Sequence, residues 1–527
     1  MKRVLVMDGV SAEGLAPLLR EPDIEVVNGR PMSEDELVEE IAGYDALIVR
    51  SATKVTRRVI EAGKRLKVIA RAGVGVDNID LEAATMQGVL VVNAPNGNTI
   101  AAAEHTMAMM LALARNIPQA VARLKEGVWD KKSFLGVELR GKTLGIIGLG
   151  RIGSEVAKRA QGMEMNVIAY DPYIGEEKAA RLGVDLVSLE DLYRRADFIT
   201  IHIPRTKESY HMIGEQAFAL MKEGVRIINC ARGGIIDEEA LYRALVSGKV
   251  AGAALDVFEN EPNTDSPLLK LPNVIATPHL GASTLEAQVN VARDVAEEVL
   301  AALRGGLVKN TVNIPPINPQ VLSAVRPYLG LAEKLGSFLA QLVSGRVRKI
   351  EVIYSGELAK LEVGPLTTAV VKGFLDPILQ QRVNYVNALL LAKNRGIQVF
   401  QAVDGDQDGY TSLITVKVYA DKAEKSAAGT IFGKADPRIV MVDGYRVDVV
   451  PSGYILYVPH IDKPRIIGPV GLLIGEQNVN IAFMQVGRKE IGGKAVMLLA
   501  IDSPVPAETL AKITQVDGVL DVKMIHL

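Results

Sequence analysis

Apolar positions in the first hundred residues come in short, nearly unbroken runs: Arg3–Met7, Ile24–Val27, Ala46–Val49, Lys67–Ala70 and Val89–Val92. Runs of this kind predict parallel strands buried on both faces. Between them, Glu34–Ile41 and Leu81–Gln87 show helical spacing, so the unit reads as βαβ. Ala101–Arg115 predicts a helix that is apolar nearly all round. A second α/β unit then begins, with strands predicted at Thr143–Ile147, Asn166–Tyr170, Phe198–Ile201, Arg226–Asn229, Gly252–Leu255 and Val274–Ala276, closed by a helix over Thr284–Arg304. Six strands with intervening helices predict a doubly wound dinucleotide-binding sheet.

The pattern changes after Asn313-Ile314-Pro315-Pro316-Ile317-Asn318-Pro319, which reads as a stiff linker. From about Gln320 to Ser452, strands are predicted at Arg348–Tyr354, Ser412–Tyr419 and Tyr445–Val450, with helices near Thr367–Gln380 and Tyr385–Lys393; the class is α+β. The last stretch reads strand Tyr454–His460, helix Ile466–Glu476, strand Asn480–Gly487, strand Lys494–Ile501, helix Ala507–Gln515 and strand Val519–Ile525. The order βαββαβ predicts a ferredoxin-like sandwich.

Length supports this division: 527 residues correspond to about three to five domains at roughly 100–200 residues each. The formal net charge of −2 gives no reason to expect nucleic acid or a membrane surface as partner. The single cysteine, Cys230, cannot form an intrachain disulfide. The opening apolar run breaks at Asp8, too early for a signal peptide, and no stretch approaches the ~18 apolar residues of a membrane helix, so a cytoplasmic protein is expected.

The chemistry starts at Gly148-Leu149-Gly150-Arg151-Ile152-Gly153, between a predicted strand and a helix. Gly148 permits the tight turn, Gly150 lets a pyrophosphate approach the backbone, and Gly153 lets the helix pack close to the strand. Arg151 and Ile152 open that helix, whose free N–H groups face the phosphates. Asp171 ends the next strand about twenty residues on, where a carboxylate binds the adenosine ribose and repels a 2′-phosphate, so the expected cofactor is NAD.

Three segments follow later strands: Asn229-Cys230-Ala231-Arg232-Gly233-Gly234, Leu255-Asp256-Val257-Phe258-Glu259-Asn260-Glu261-Pro262 and Pro278-His279-Leu280-Gly281-Ala282. Strand ends border the ligand crevice in such sheets. His279 suits a base for a hydroxyl proton, Glu261 suits a partner that fixes its tautomer, and Arg232 suits a carboxylate clamp. Cys230, Ala231, Asp256, Gly281 and Ala282 are expected along the cofactor. No base stands near Cys230 in sequence, which reads as a small apolar filler. Asp404–Gly409 mimics the start of a calcium loop, but the twelfth position is Thr415, not an acid, so it reads as a polar turn. The histidines show no metal-ligand spacing, and no metal is expected.

These motifs together resemble the D-isomer-specific 2-hydroxy acid dehydrogenase family. The resemblance implies that Arg232, Glu261 and His279 are catalytic. It also implies an NAD-binding Rossmann domain, 98–284, inserted into a split flavodoxin-like substrate domain, 1–97 and 285–314. The front segments Ile48–Val55, Ile69–Asp80 and Asn93–Asn98 are similar to members acting on 3-phosphoglycerate. That likeness implies that Arg50, Ser51, Arg71 and Gly73 bind an anionic substrate and that Val74 touches the cofactor. Lys131 and Lys132 are expected to reach a neighbouring subunit's phosphate. Residues 315–452 resemble the family's intervening domain. Residues 453–527 resemble an ACT regulatory domain, which implies L-serine as effector held by His460, Asp462 and Asn480, within a homotetramer. The usual glycine after proline is Arg465 here. Two other readings stand beside this one: a glyoxylate or hydroxypyruvate reductase, and an NAD(H)-dependent corepressor-type scaffold, the latter usually ending in a flexible tail.

Overall fold

The computed structural model describes residues 1–306, 308–315, 319–404, 409–421, 423–433 and 435–527. Most of the predicted polar turn at 404–409 and residues 316–318 of the linker lie outside them. The chain is α/β, and the described residues form four sheets.

The first sheet runs Ile24–Asn28, Lys2–Val6, Ala46–Val49, Val68–Arg71, Leu90–Asn93 across its width, every pair parallel. The order 2-1-3-4-5 is the flavodoxin-like one. The second sheet has seven parallel strands, in the order Val274–Ala276, Val250–Leu255, Val225–Asn229, Phe198–Ile201, Thr143–Ile147, Asn166–Tyr170, Asp185–Leu186. The two-residue outer strand is one more than the apolar runs predict, because it is too short to leave a pattern. The order reverses beside Thr143–Ile147, so a switch-point crevice opens at the glycine loop.

Two helices tie these units together. Thr99–Ala114 packs on the second sheet, with Ala103, Met107 and Met110 against Leu144, Ile146 and Ile228. Leu285–Arg304 returns to the first sheet, burying Val291, Val295, Val299 and Leu303 against Val4, Ile48 and Val92. The Thr284 side chain caps it by accepting from Ala287 N at 3.1 Å. The chain entering the predicted linker adds to the first sheet: Val312 N donates to Val91 O, and Asn313 Oδ1, at the linker's first residue, accepts from Val91 N.

The third sheet has six strands, Gln398–Asp404, Val347–Gly356, Ser412–Ala420, Glu424–Phe432, Asp436–Val442 and Tyr445–Val449, three of them beyond the sequence expectation. A long helix, Pro319–Leu342, also exceeds it and holds Pro327 within its length. The fourth sheet orders its strands Ile481–Arg488, Lys494–Ile501, Tyr454–Ile461, Lys523–His526, all antiparallel. With helices Ile467–Gly475 and Ala507–Thr514 this is the predicted βαββαβ sandwich. Its second face joins the third unit's core: Ile455, Tyr457, Val496, Leu498 and Ile525 share one buried cluster with Leu335, Phe338 and Leu342. Among the described residues, no helix is long and apolar enough to cross a membrane.

Candidate active site

Strand register brings the candidate residues together. Tyr170, Ile147, Ile201, Asn229, Leu255 and Ala276 are successive cross-strand neighbours in the second sheet. The next residue on each strand therefore opens onto the same edge: Asp171, Gly148, His202, Cys230, Asp256 and Thr277. Parallel pairing in one register is what turns motifs spread over a hundred residues into one crevice.

The glycine loop fits a dinucleotide. Gly148 sits at φ 96°, and a Cβ at Gly153 would lie 2.1 Å from Gly148 O, so neither position tolerates a side chain. A Cβ at Gly150 would meet nothing within 4 Å, which leaves open space over the start of helix Arg151–Gly162, the room a pyrophosphate would need. The Arg151 guanidinium donates to Pro95 O at 3.3 Å, towards the first unit. Asp171 accepts from Leu149 N at 2.8 Å and Tyr173 N at 2.9 Å, which aims the carboxylate along the loop's rim with lone pairs to spare for a ribose.

His279 Nδ1 stands 2.7 Å from Glu261 Oε2. The other oxygen of Glu261 accepts from Phe258 N at 2.9 Å. Burial raises the Glu261 carboxyl, but hydrogen bonds from His279 and Phe258 outweigh it and hold the group below the usual carboxylate range. An ionised Glu261 fixes the proton on Nδ1, which leaves Nε2 as the free base. His279 itself has a left-handed φ of 58°.

That conformation is braced by Asp256, whose side chain is wholly enclosed. It accepts from Leu280 N at 2.7 Å, Gly281 N at 2.8 Å and the Thr277 hydroxyl at 2.6 Å, with His105 Nε2 at 3.2 Å. Through these bonds Asp256 shapes the loop carrying His279. Burial raises its carboxyl and the bonds from His105 and Thr277 lower it, with a net fall. His105 and Thr277 escape sequence reasoning, because a histidine inside an apolar helix carries no motif. Burial pushes the Cys230 thiol up to about 12, as suits an inert filler.

Arg232 crosses the cleft. Its Nε lies 3.5 Å from Asp77 of the first unit, and a Cβ at Gly75 would sit 2.2 Å from its guanidinium. Asn229, buried, clamps the turn by accepting from Ala231 N at 3.1 Å and donating to Arg232 O at 2.9 Å. Opposite lies Arg71. Burial, then the nearby Arg232 and Arg50 charges, bring its guanidinium down to about 10. Its Nε is enclosed and has no hydrogen-bond partner among the described residues. Gly73 admits it, since a Cβ there would lie 1.6 Å from the Arg71 guanidinium. The backbone of Arg50 and the adjoining Ser51 turn is held by Asp8, which accepts from Arg50 N at 2.7 Å and Thr53 N at 3.1 Å, while Val74 O accepts from Asn93 at 2.7 Å.

Lys131 and Lys132, expected to serve a neighbouring subunit, lie on an exposed segment beside Trp129. The three expected effector residues do not gather within one chain. His460 and Asp462 sit at one end of the fourth sheet and Asn480 at the other. Strands Tyr454–Ile461 and Ile481–Arg488 both run antiparallel to Lys494–Ile501; His460 and Arg488 pair with Ala495, but Ile481 pairs with Ile501. The separation is roughly 20 Å at about 3.3 Å per residue. His460 is buried, Asp462 accepts from Arg488 at 2.9 Å, and Asn480 donates to Asp502 at 2.9 Å. Strand direction, invisible in a motif, makes the difference.

Residues 107–281 match the D-isomer specific 2-hydroxyacid dehydrogenase NAD binding domain, and residues 324–443 match the D-3-phosphoglycerate dehydrogenase intervening domain. The chain is 50% identical to D-3-phosphoglycerate dehydrogenase of Methanocaldococcus jannaschii, with 100% of both chains covered. The chain belongs to the D-3-phosphoglycerate dehydrogenase family. Another member of the family, from Synechocystis, is 49% identical over 100% of this chain and 95% of its own. Among solved structures, D-lactate dehydrogenase from Aquifex aeolicus, complexed with NAD and lactic acid, superposes with a TM-score of 0.52 at 32% identity, covering 59% of this chain and 99% of that one. The family carries its NAD-binding domain on the sheet that holds Gly148, Asp171 and His279.

Proposed function

We propose that the protein oxidises D-3-phosphoglycerate to 3-phosphohydroxypyruvate with NAD, the first step of phosphorylated L-serine biosynthesis. One observation carries the choice of substrate: Arg71 is a half-buried guanidinium whose enclosed Nε has no partner among the described residues, close to the Arg50 and Arg232 charges. A phosphorylated hydroxy acid brings roughly three negative charges to such a cluster. Bound in the crevice, NAD supplies the hydride acceptor. His279 Nε2 takes the hydroxyl proton as the carbinol carbon loses hydride. Glu261 keeps Nδ1 protonated and stabilises the imidazolium. Arg232 orients the substrate carboxylate and polarises the neighbouring oxygen.

The reading extends to the rest of the molecule. The fourth unit is an ACT-type domain that binds L-serine between two copies of the chain, His460 and Asp462 coming from one and Asn480 from the other, and Lys131 and Lys132 serve a neighbouring subunit. The protein is cytoplasmic and assembles as a homotetramer. Helix Ile117–Lys125 supports self-association: it buries no residue and exposes Ile117, Val121 and Leu124, close in sequence to the exposed Trp129 and Leu135.

Turnover tests this directly. Purified protein should reduce NAD with D-3-phosphoglycerate, followed as NADH absorbance. No turnover of that substrate beside good turnover of glycerate would replace the reading with a glyoxylate or hydroxypyruvate reductase.

A further inference from the structure

A second histidine–carboxylate pair lies next to the first. Glu259, two residues before Glu261, accepts from the Tyr210 hydroxyl, and His211 Nε2 stands 3.3 Å from each of its oxygens. The Tyr210 and His211 rings stack with centroids 3.9 Å apart. Glu259 N donates to Glu238 Oε1 at 2.6 Å, and Asp237 Oδ2 lies 3.9 Å from His211 Nδ1. The Tyr210 bond, aided by His211 and opposed by burial, keeps the Glu259 carboxyl below its usual range.

The same dipeptide grips the neighbouring turn. His211 N donates to Gly234 O at 2.8 Å, and a Cβ on Gly234 would meet the Tyr210 ring at 3.3 Å. Gly234 closes the turn that begins at Arg232. His211 adopts φ 51°, a left-handed conformation uncommon outside glycine that persists where surrounding contacts over-determine it. The His211 backbone thus holds the loop of Arg232 through Gly234, while the Tyr210 and His211 side chains hold the loop of Glu261 through Glu259. Neither Tyr210 nor His211 belongs to the sequence motifs.

We propose that Tyr210 and His211 are positioning residues for hydride transfer, locking the Arg232 and Glu261 loops in one mutual geometry so that Glu261 meets His279. This rests on the reading of His279 and Glu261 given above. A misplacement of about 1 Å in a catalytic group costs up to about 100-fold in rate, so a small slackening is measurable. A purely structural pair would lower stability and leave the chemistry of the folded enzyme unchanged.

The test is a double-mutant cycle on the full-length enzyme with D-3-phosphoglycerate and NAD. His211→Gln and, as the milder variant, Tyr210→Phe are measured alone and with Glu261→Gln. Each single change is expected to lower kcat about tenfold with KM for NAD unchanged and folding intact by circular dichroism. In the Glu261→Gln background, either change is expected to add less than twofold, because the geometry it protects is already lost. An equal tenfold loss in both backgrounds, or no loss of kcat from Tyr210→Phe, overturns the proposal. If Glu261→Gln alone leaves turnover intact, the proton-transfer reading fails and the proposal falls with it, a result distinct from the other two.

Discussion

Gly233 and Phe258 meet backbone to backbone: a Cβ on Gly233 would lie 1.8 Å from Phe258 O and 2.0 Å from its carbonyl carbon. The turn carrying Arg232 is thereby pressed against the turn carrying Glu261, with no side chain to cushion them. Gly233→Ala is expected to destabilise the protein by about 1–3 kcal/mol, the cost of overpacking, and to lower kcat further than that loss explains. Urea titration beside steady-state kinetics checks both. Full activity in a stable Ala variant would mean the two turns move independently.

His279→Ala should abolish proton transfer while sparing the cofactor site, because the residues proposed to bind the far end of the dinucleotide, Gly148, Gly150 and Asp171, remain in place. Turnover is expected to fall by about 10²–10⁴-fold, with NAD affinity by fluorescence titration within a few-fold of the parent. Loss of NAD binding would assign the histidine a structural role.

Arg71 is charged where burial and two other guanidiniums disfavour charge. A base depressed to about 10 opposes folding at every pH below that value unless an anion relieves it. Arg71→Met is therefore expected to melt at or above the parent's temperature, yet to raise KM for D-3-phosphoglycerate about tenfold or more. Added substrate should raise the melting temperature of the parent more than that of the variant. A variant that melts lower with unchanged KM contradicts the anion-site reading.

Asp256 has the opposite sign. Its carboxyl is held below the ordinary value, so its contribution is present above about pH 4 and is lost as pH falls through the depressed value. Asp256→Asn should cost about 1–3 kcal/mol at neutral pH, and the gap to the parent should narrow at pH 3. Denaturant midpoints at the two pH values decide it; a gap that widens in acid refutes the assignment.

L-Serine binding is expected in calorimetric titration, weakened by Asp462→Ala and by Asn480→Ala alike. Because these residues sit at opposite ends of one sheet, a site using both draws them from two copies of the chain. Binding that survives Asn480→Ala unchanged would remove Asn480 from the effector site.

Much of the catalytic half is legible in sequence because its physics is local. Parallel strands buried on both faces leave unbroken apolar runs, and each motif begins where such a run ends. What escaped depends on direction, exposure or distance. Helix Pro319–Leu342 begins in a proline-rich stretch and contains Pro327, both poor helix signals. Strand Gln398–Asp404 is an edge strand with most side chains exposed, so it lacks an apolar run. The contact of Arg232 with Asp77, the enclosure of Asp256 by His105, and the grip of His211 on Glu259 join residues far apart in the chain by bonds that no spacing encodes.

The buried cluster shared by the third and fourth sheets has a consequence for cooperativity. Ile455, Tyr457, Val496, Leu498 and Ile525 cannot leave it without exposing Phe338 and Leu342 to water. The last two units are therefore expected to open as one block in hydrogen exchange, with a common protection free energy.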